Sequence, residues 1–525
     1  MNAWTKTCGS LLVLAALGLL RAGSAQAAII QGDPSNYRNL LPTLQPGDTL
    51  ELAAGDYPDG LPITDLEGTA AAPIVINGPE TGAPAVFLGD SSRNTVSIRR
   101  SAHVVIRYLL IDGQQLANVD AVKAEGDVDN WSHHITIEHC TIVNHDPNQQ
   151  TVGISTKSPA WDWIIRYNVI HSAGTGLYLG NSNGDAPFVR GLIEYNLVAD
   201  PEGYCMEIKH QNPRPVLVGM PPDGSVTIIR HNVFIKDDDP SGSGDRPNVL
   251  IGHLPLSGAG QNDHYELYGN FFYHNPREAL FQGEGNLHLH DNIFVDAGAG
   301  WPAVNIRPHN DLPRQVLVYQ NTVYGADTGI TVTGVDGGAT QAVLGNAVFA
   351  GVPLNLAGGV ADQDNVVDSV ANASSYVVSP TLDLATVDVY PLPGQLTGGA
   401  LDTVLLAGDT DFDRDFNGIL KDFTFRGAYQ GGESQNPGWD LDESIKDETT
   451  TSPGPDAAVP DDSAVPPGDS GAGADARVGD AGVSDPGVDE SGCGCRAGAH
   501  SQGALVLLVL LVVLLWGWRR RRRRA

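Results

Sequence analysis

A proton could be moved in one stretch of this chain, where Glu207-Ile208-Lys209-His210 sets a carboxylate, an amine and an imidazole within four residues. A second imidazole, His253, ends the segment Leu250-Ile251-Gly252-His253. A lysine or histidine can serve as a base when burial and neighbouring cations hold it neutral. Lys209, His210 and His253 are therefore the candidate catalytic residues, although Glu207 favours the charged form of Lys209.

Six segments of alternating apolar and polar residues fall into register around these groups: 153–158, 176–181, 205–210, 248–253, 279–284 and 303–308. Side chains alternate across a strand, so Met206 and Ile208 point inward and Glu207 and Lys209 outward. The same parity turns Lys157, Tyr178, Asn305 and Arg307 outward, and Asn181, His210, His253 and Glu284 line the adjoining turn. Lys157, Tyr178, Asn181, Glu207, Glu284, Asn305 and Arg307 are the candidate substrate-binding residues. Lys157, Lys209 and Arg307 form a basic stripe that suits an extended anionic ligand. The two longest insertions, 211–226 and 236–247, flank it.

What positions the stripe is a repeat. Asparagine follows an apolar alternation in Ile165-Arg166-Tyr167-Asn168, Ile193-Glu194-Tyr195-Asn196, Ile229-Arg230-His231-Asn232, Leu267-Tyr268-Gly269-Asn270 and Leu289-His290-Asp291-Asn292. Weaker copies centre on Asn321 and Asn346, and Cys140 takes the place in an earlier one. The anchors lie about 22 to 38 residues apart, the range of one coil of a stacked solenoid. Asn tolerates a left-handed bend and can bond its counterpart one coil away, about 4.8 Å along the stack. The expectation is an all-β, single-stranded right-handed parallel β-helix over residues 28–430. Asp413 to Gly418 reads as a turn of its closing coil, and His133-His134 and His288-Leu289-His290 as solvent-facing strand histidines.

The ends read differently. Lys6, the apolar stretch Leu11 to Leu20 and Ala25-Gln26-Ala27 form the pattern of a secretory signal over 1–27. Residues 431–492 are rich in Pro, Gly, Ser, Ala and Asp, and read as a disordered acidic linker that cannot offset its ordering entropy. Beyond it, 493–525 holds Cys493-Gly494-Cys495, the apolar run Ala504 to Trp518 and the arginines Arg519 to Arg524, which reads as a transmembrane helix with its cytoplasmic flank. These parts in this order resemble the myxosortase-type sorting tails of bacterial surface proteins. The resemblance implies processing near Cys493 or Cys495 by a sorting protease, membrane association through the helix, and a place at the cell surface.

The formal charge of −31, from 62 acidic and 31 basic residues, argues against a nucleic-acid partner, which needs an extensive basic face. Isolated Cys140 and Cys205 make no disulfide framework.

Between about Gln45 and Tyr429 the body resembles the chondroitinase B and alginate lyase family of calcium-assisted β-helix lyases, most specifically at Glu207-Ile208-Lys209-His210-Gln211. The resemblance implies that Lys209 takes the proton from C5 of a uronate sugar, with Glu202 or Glu207 holding calcium. The second calcium carboxylate expected near Tyr204 is missing, and His253 stands near the place of the family's arginine. Two other classes stay open. A hydrolase would use two carboxylates across a bond, such as Glu207 and Glu284, about 9.6 Å apart if two coils separate them. A surface module could bind anionic polysaccharide without chemistry.

Overall fold

The computed structural model describes residues 27–126, 129–298 and 300–446, and within them the chain winds as a parallel β-helix. Each coil gives one short strand to each of three stacks. The first forms a 15-stranded sheet, and the other two join into a sheet of 21 strands where Thr322–Val332 and Ala347–Leu356 run through both. Among the strands of the described residues, only Val377–Ser379 and Asp388–Pro391 pair antiparallel. The signal segment before Ala27, the apolar run and Cys493-Gly494-Cys495 lie outside the described residues. Among the described residues no helix is long and apolar enough to cross a membrane.

The strands form because branched aliphatic residues repeat at one parity and stack in single file. Ile106, Ile137, Ile165, Ile193, Ile229, Leu267, Leu289, Val318 and Val343 occupy one register column and are fully buried. Burying each such side chain contributes roughly 1.5–3 kcal/mol. On the outward column beside them the sign of charge alternates along Arg107, Glu138, Arg166, Glu194 and Arg230. Arg166 Nη2 lies 2.8 Å from Glu138 and Arg230 Nη2 2.7 Å from Glu194. Opposite charges on adjacent strands fix the stacking register.

The asparagine ladder is present. Asn196 Oδ1 accepts from the backbone N–H of Asn168 at 3.1 Å and from its Nδ2 at 2.9 Å, and the pattern continues through Asn232, Asn270, Asn292, Asn321, Asn346 and Asn365. The Cys140 backbone N–H donates to Asn168 Oδ1 at the start of the ladder. One expectation needs correction: the left-handed residue is not the asparagine but the one before it. Tyr167, Tyr195, His231, Gly269, Asp291, Gln320 and Gly345 all have φ between 49° and 63°. The side chain of each asparagine instead satisfies the backbone groups that this bend releases.

Those bend residues show where the outside of the helix is covered. Tyr108, His139, Tyr167, Tyr195 and His231 stack ring on ring at 4.9–5.2 Å along one corner, and the C-terminal segment reaches the last of them through Lys446. In later coils the same place holds Gly269, Asp291, Gln320 and Gly345, and the C-terminal segment crosses there. A Cβ at Gly345 would come within 2.5 Å of Leu401.

That segment corrects the expected boundary at 430. The last solenoid strand is Val366–Asp368, and residues 369–446 form a strap that returns along the outside of the coils. Phe416, Tyr429, Trp439 and Leu441 pack on outward-facing Leu197, Val233, Phe271 and Ile293. Residues 431–446, read from sequence as the start of the solvated linker, therefore lie on the solenoid. Lys446, the last of the described residues, donates its Nζ to the Gly269 carbonyl at 2.8 Å. The turn at Asp415, whose Oδ1 accepts from Asn417 and Ile419, belongs to the strap and not to a closing coil.

Candidate active site

The third strand stack carries the basic stripe, and its register agrees with the sequence alignment. Ile154, Leu177, Met206, Val249, Phe281 and Val304 stack inward, while Ser155, Tyr178, Glu207, Leu250, Gln282 and Asn305 form the outward column beside them. Two residues past each of these come Lys157, Gly180, Lys209, Gly252, Glu284 and Arg307. Glycine at 180 leaves room between the two lysines, because an added Cβ would stand 3.3 Å from that of Lys209.

Outward does not mean exposed here. Glu207, Glu284 and Asn305 are buried, whereas Lys157, Tyr178, Asn181, Lys209, His210 and His253 are half-buried and Arg307 is exposed. Both amide atoms of Asn305 and the hydroxyl of Ser155 are buried without a hydrogen-bond partner. The insertions pack around the stripe: Gln211 Nε2 donates to Tyr265 Oη at 2.8 Å, and Glu202 Oε1 accepts the Gly242 N–H at 2.8 Å.

Lys157 and Lys209 share the ring of Tyr178. Lys157 Nζ lies 3.1 Å from the ring centroid and Lys209 Nζ 5.6 Å. Their proton affinities diverge. Burial, helped by Lys123 and Lys209, pulls the Lys157 ammonium down to about 7 against the attraction of Asp120 and Glu207. Burial acts on Lys209 as well, but there the Glu207 carboxylate at 2.8 Å outweighs it and holds the amine above its ordinary range. The expected base is thus fixed as a cation, and the residue expected only to bind substrate is poised to titrate near neutrality.

The other expected groups come together at one edge. The rings of His210 and His253 stack at 5.2 Å, and burial, then the neighbouring His253 and Lys209, lower the proton affinity of His210. His253 Nδ1 stands 3.5 Å from Glu284 Oε1. Burial would raise the Glu284 carboxyl, yet His253 and the backbone N–H groups of His309, Asn310 and Asp311 hold it at about 2. Glu284 is therefore an anchor for the 308–311 turn. It does not share a column with Glu207, which aligns with Leu250 and Gln282. Asn181 also acts locally, its Oδ1 accepting the Ala186 N–H.

Beyond Gln282, sequence reasoning passed over two residues. Burial raises the carboxyl of Glu278, which accepts from Gln282 Nε2 at 2.7 Å, and the Trp301 ring faces the Arg307 guanidinium at 5.8 Å. Aromatic residues beside the outward column are the signal that could have found Trp301, since sugar rings stack on such faces.

Calcium does not fit the two acidic residues expected to hold it. Glu207 is engaged by Lys209 and Glu202 by Gly242. Among the described residues three groups of His and carboxylate side chains converge closely enough to hold a metal ion, and neither glutamate belongs to one. The sequence also read His133-His134 and His288-Leu289-His290 as solvent-facing. His288 and His290 are instead buried, and His133 is half-buried between the rings of Trp131 and Trp161.

No family model matches the sequence, and no curated protein matches it. Among solved structures the chain is similar to an alginate lyase from Paenibacillus sp., at 15% identity over 65% of this chain and 99% of that one, with a TM-score of 0.33. It is similar to the A-module of a mannuronan C-5 epimerase from Azotobacter vinelandii at 13% identity, over 62% and 88% of the two chains, with a TM-score of 0.39. A pectate lyase matches at 13% identity over 81% and 98%, with a TM-score of 0.38.

Proposed function

We propose that the chain is an exported surface protein that binds an anionic, uronate-containing polysaccharide along its third strand stack and cleaves it by β-elimination. The observation that carries the reading is the split between two neighbouring lysines, one held charged and one poised near neutrality over the same tyrosine ring. Lys209, held as a cation by Glu207, and Arg307 farther along the stripe bind carboxylates of successive sugars. Neutral Lys157 takes the proton from the carbon next to a carboxylate. The electron pair of the broken C–H bond forms the C4–C5 double bond, the C4–O bond breaks, and the proton on Lys157 returns to the departing oxygen. No step needs a metal held by Glu202 or Glu207. The sorting tail with its cleavage near Cys493 or Cys495 completes the proposal, since it would present the solenoid outside the cell.

The test is ultraviolet absorbance of the unsaturated product when the full chain is mixed with alginate, pectin, chondroitin and heparin. Absorbance that rises on one polymer and is abolished in Lys157→Met supports elimination by Lys157. A rise that Lys157→Met leaves intact overturns that assignment. Binding of a polymer without any rise turns the reading to a non-catalytic glycan-binding module.

A further inference from the structure

Away from the stripe, the strap closes over two carboxylates that have almost no water and no lysine or arginine partner. Glu266 is 2% exposed and Asp409 7%, and among the described residues neither pairs with a lysine or arginine. Their neighbours are two imidazoles. His264 Nε2 lies 3.0 Å from Glu266 Oε1, and His288 Nδ1 lies 2.7 Å from Asp409 Oδ1. Two anionic carboxylates in so dry a place require about two compensating positive charges, because an uncompensated buried charge is costly.

The four side chains arrive from separate parts of the chain. His264 and Glu266 stand on the strand His264–Tyr268, and His288 lies on the next coil directly opposite Glu266. Asp409 is delivered by the strap. One ligating atom from each of the four lies within 4.8 Å of every other. The far oxygen of each carboxylate is already held by a donor: Tyr319 Oη donates to Asp409 Oδ2 at 2.9 Å, and the Thr410 N–H to Glu266 Oε2 at 3.0 Å. Such outer contacts orient carboxylates in metal sites and leave the near oxygen for the ion. The Nε2 of His288 is buried with no hydrogen-bond partner, so this imidazole has coordinating capacity that the protein itself does not use.

We infer that His264, Glu266, His288 and Asp409 bind one divalent transition-metal ion, best matched by zinc, which staples the strap to the solenoid. Imidazole nitrogen and carboxylate oxygen are both zinc ligands and four of them match its usual coordination number, while the ion would supply the positive charge that neutral imidazoles do not. Calcium fits less well, since it prefers six or more oxygen ligands.

The experiment uses the full chain, untagged and purified without chelator. Elemental analysis is expected to find about one zinc per chain. Chelation should lower the melting temperature, and added zinc should restore it. His264→Gln changes the half-exposed ligand and leaves the core intact, as circular dichroism would verify, and it should weaken zinc binding by more than about tenfold. His133→Ala/His134→Ala, made in another histidine cluster, should leave zinc content unchanged. The inference is overturned if the chain neither carries zinc nor takes it up on titration, or if zinc survives His264→Gln and is lost with the His133/His134 pair. A chain that melts at the same temperature with and without bound zinc also overturns the staple.

Discussion

Lys157 Nζ stands 3.1 Å from the centroid of the Tyr178 ring, one coil away, while Glu207 on the coil after that holds Lys209 at 2.8 Å. The same stripe thus contains one lysine pressed against an aromatic face and another tied to a carboxylate, so equivalent amines acquire different chemistry.

Lys157→Arg should keep a cation over Tyr178 and lose the base, since a guanidinium does not deprotonate. The expected result is a turnover rate lowered by about 10²–10⁴-fold with polymer affinity little changed. Lys209→Met should do the reverse, raising the Michaelis constant more than it lowers turnover. Steady-state kinetics on the responsive polymer separate the two.

The pH profile follows from the same group. Activity should rise as pH climbs through about 7, where folded Lys157 loses its proton. The sign for stability is also fixed. Folded Lys157 titrates below its ordinary 10.5, so between those values the unfolded chain binds the extra proton and stability increases with pH. Lys157→Met should therefore raise the melting temperature at pH 6 and lose that advantage by pH 10, as thermal scans at the two pH values would show.

Glu284 gives a slope of the same sign in an acid window, but here it is the charged form that stabilises the fold. Its folded carboxyl sits at about 2 against an ordinary 4.5, so its contribution is complete above 4.5 and is lost as pH falls through the folded value. Glu284→Gln should cost about 1–3 kcal/mol at neutral pH and flatten the acid limb of the stability curve. Urea unfolding at pH 7 and pH 3 measures both.

Asn232→Ala should be among the most damaging substitutions in the solenoid. Its Nδ2 donates to Ile193, Arg230 and Asn270, and its Oδ1 accepts from Asn196, all of them buried except the partly buried bond to Arg230. Truncation strands several of these groups, for an expected loss of about 3–5 kcal/mol. Asn365→Ala, at the half-buried end of the ladder, should cost less in the same urea titration.

Ending the chain at Gln430 should expose the apolar outer surface that Trp439 and Leu441 cover. The shortened protein should bind a hydrophobic dye and aggregate on heating, whereas a chain ending at Lys446 should do neither.

The solenoid was legible because its signals are local and repeated. An apolar alternation and an asparagine can be read coil by coil, and stacking follows from them. The strap has no period; its contacts rest on single residues such as Phe416 and Trp439 spaced among Asp and Gly. Yet its partner surface is written in the sequence. Val233-Phe234-Ile235 and Ile293-Phe294-Val295 are apolar at both parities, the mark of strands buried on both faces. The stripe was legible in position and not in chemistry. Parity turned Lys157 and Lys209 outward, but which amine becomes neutral depends on burial and on Tyr178 and Glu207 from other coils. The buried histidines escaped for a related reason: Asp409, more than a hundred residues after His288, is what makes its place an interior one.

The strap also decides how the molecule would bear a load. Because the chain passes its last coil at Asp368 and returns along the outside to Lys446, beside Gly269, a pull applied beyond Lys446 meets the flank of the solenoid. Peeling the terminal coil would undo one rung of hydrogen bonds at a time. Dragging on the strap instead loads the contacts of Trp439, Tyr429 and Phe416 together, in shear across several coils. A pull from beyond Lys446 would therefore load the strap before it loads the terminal coil.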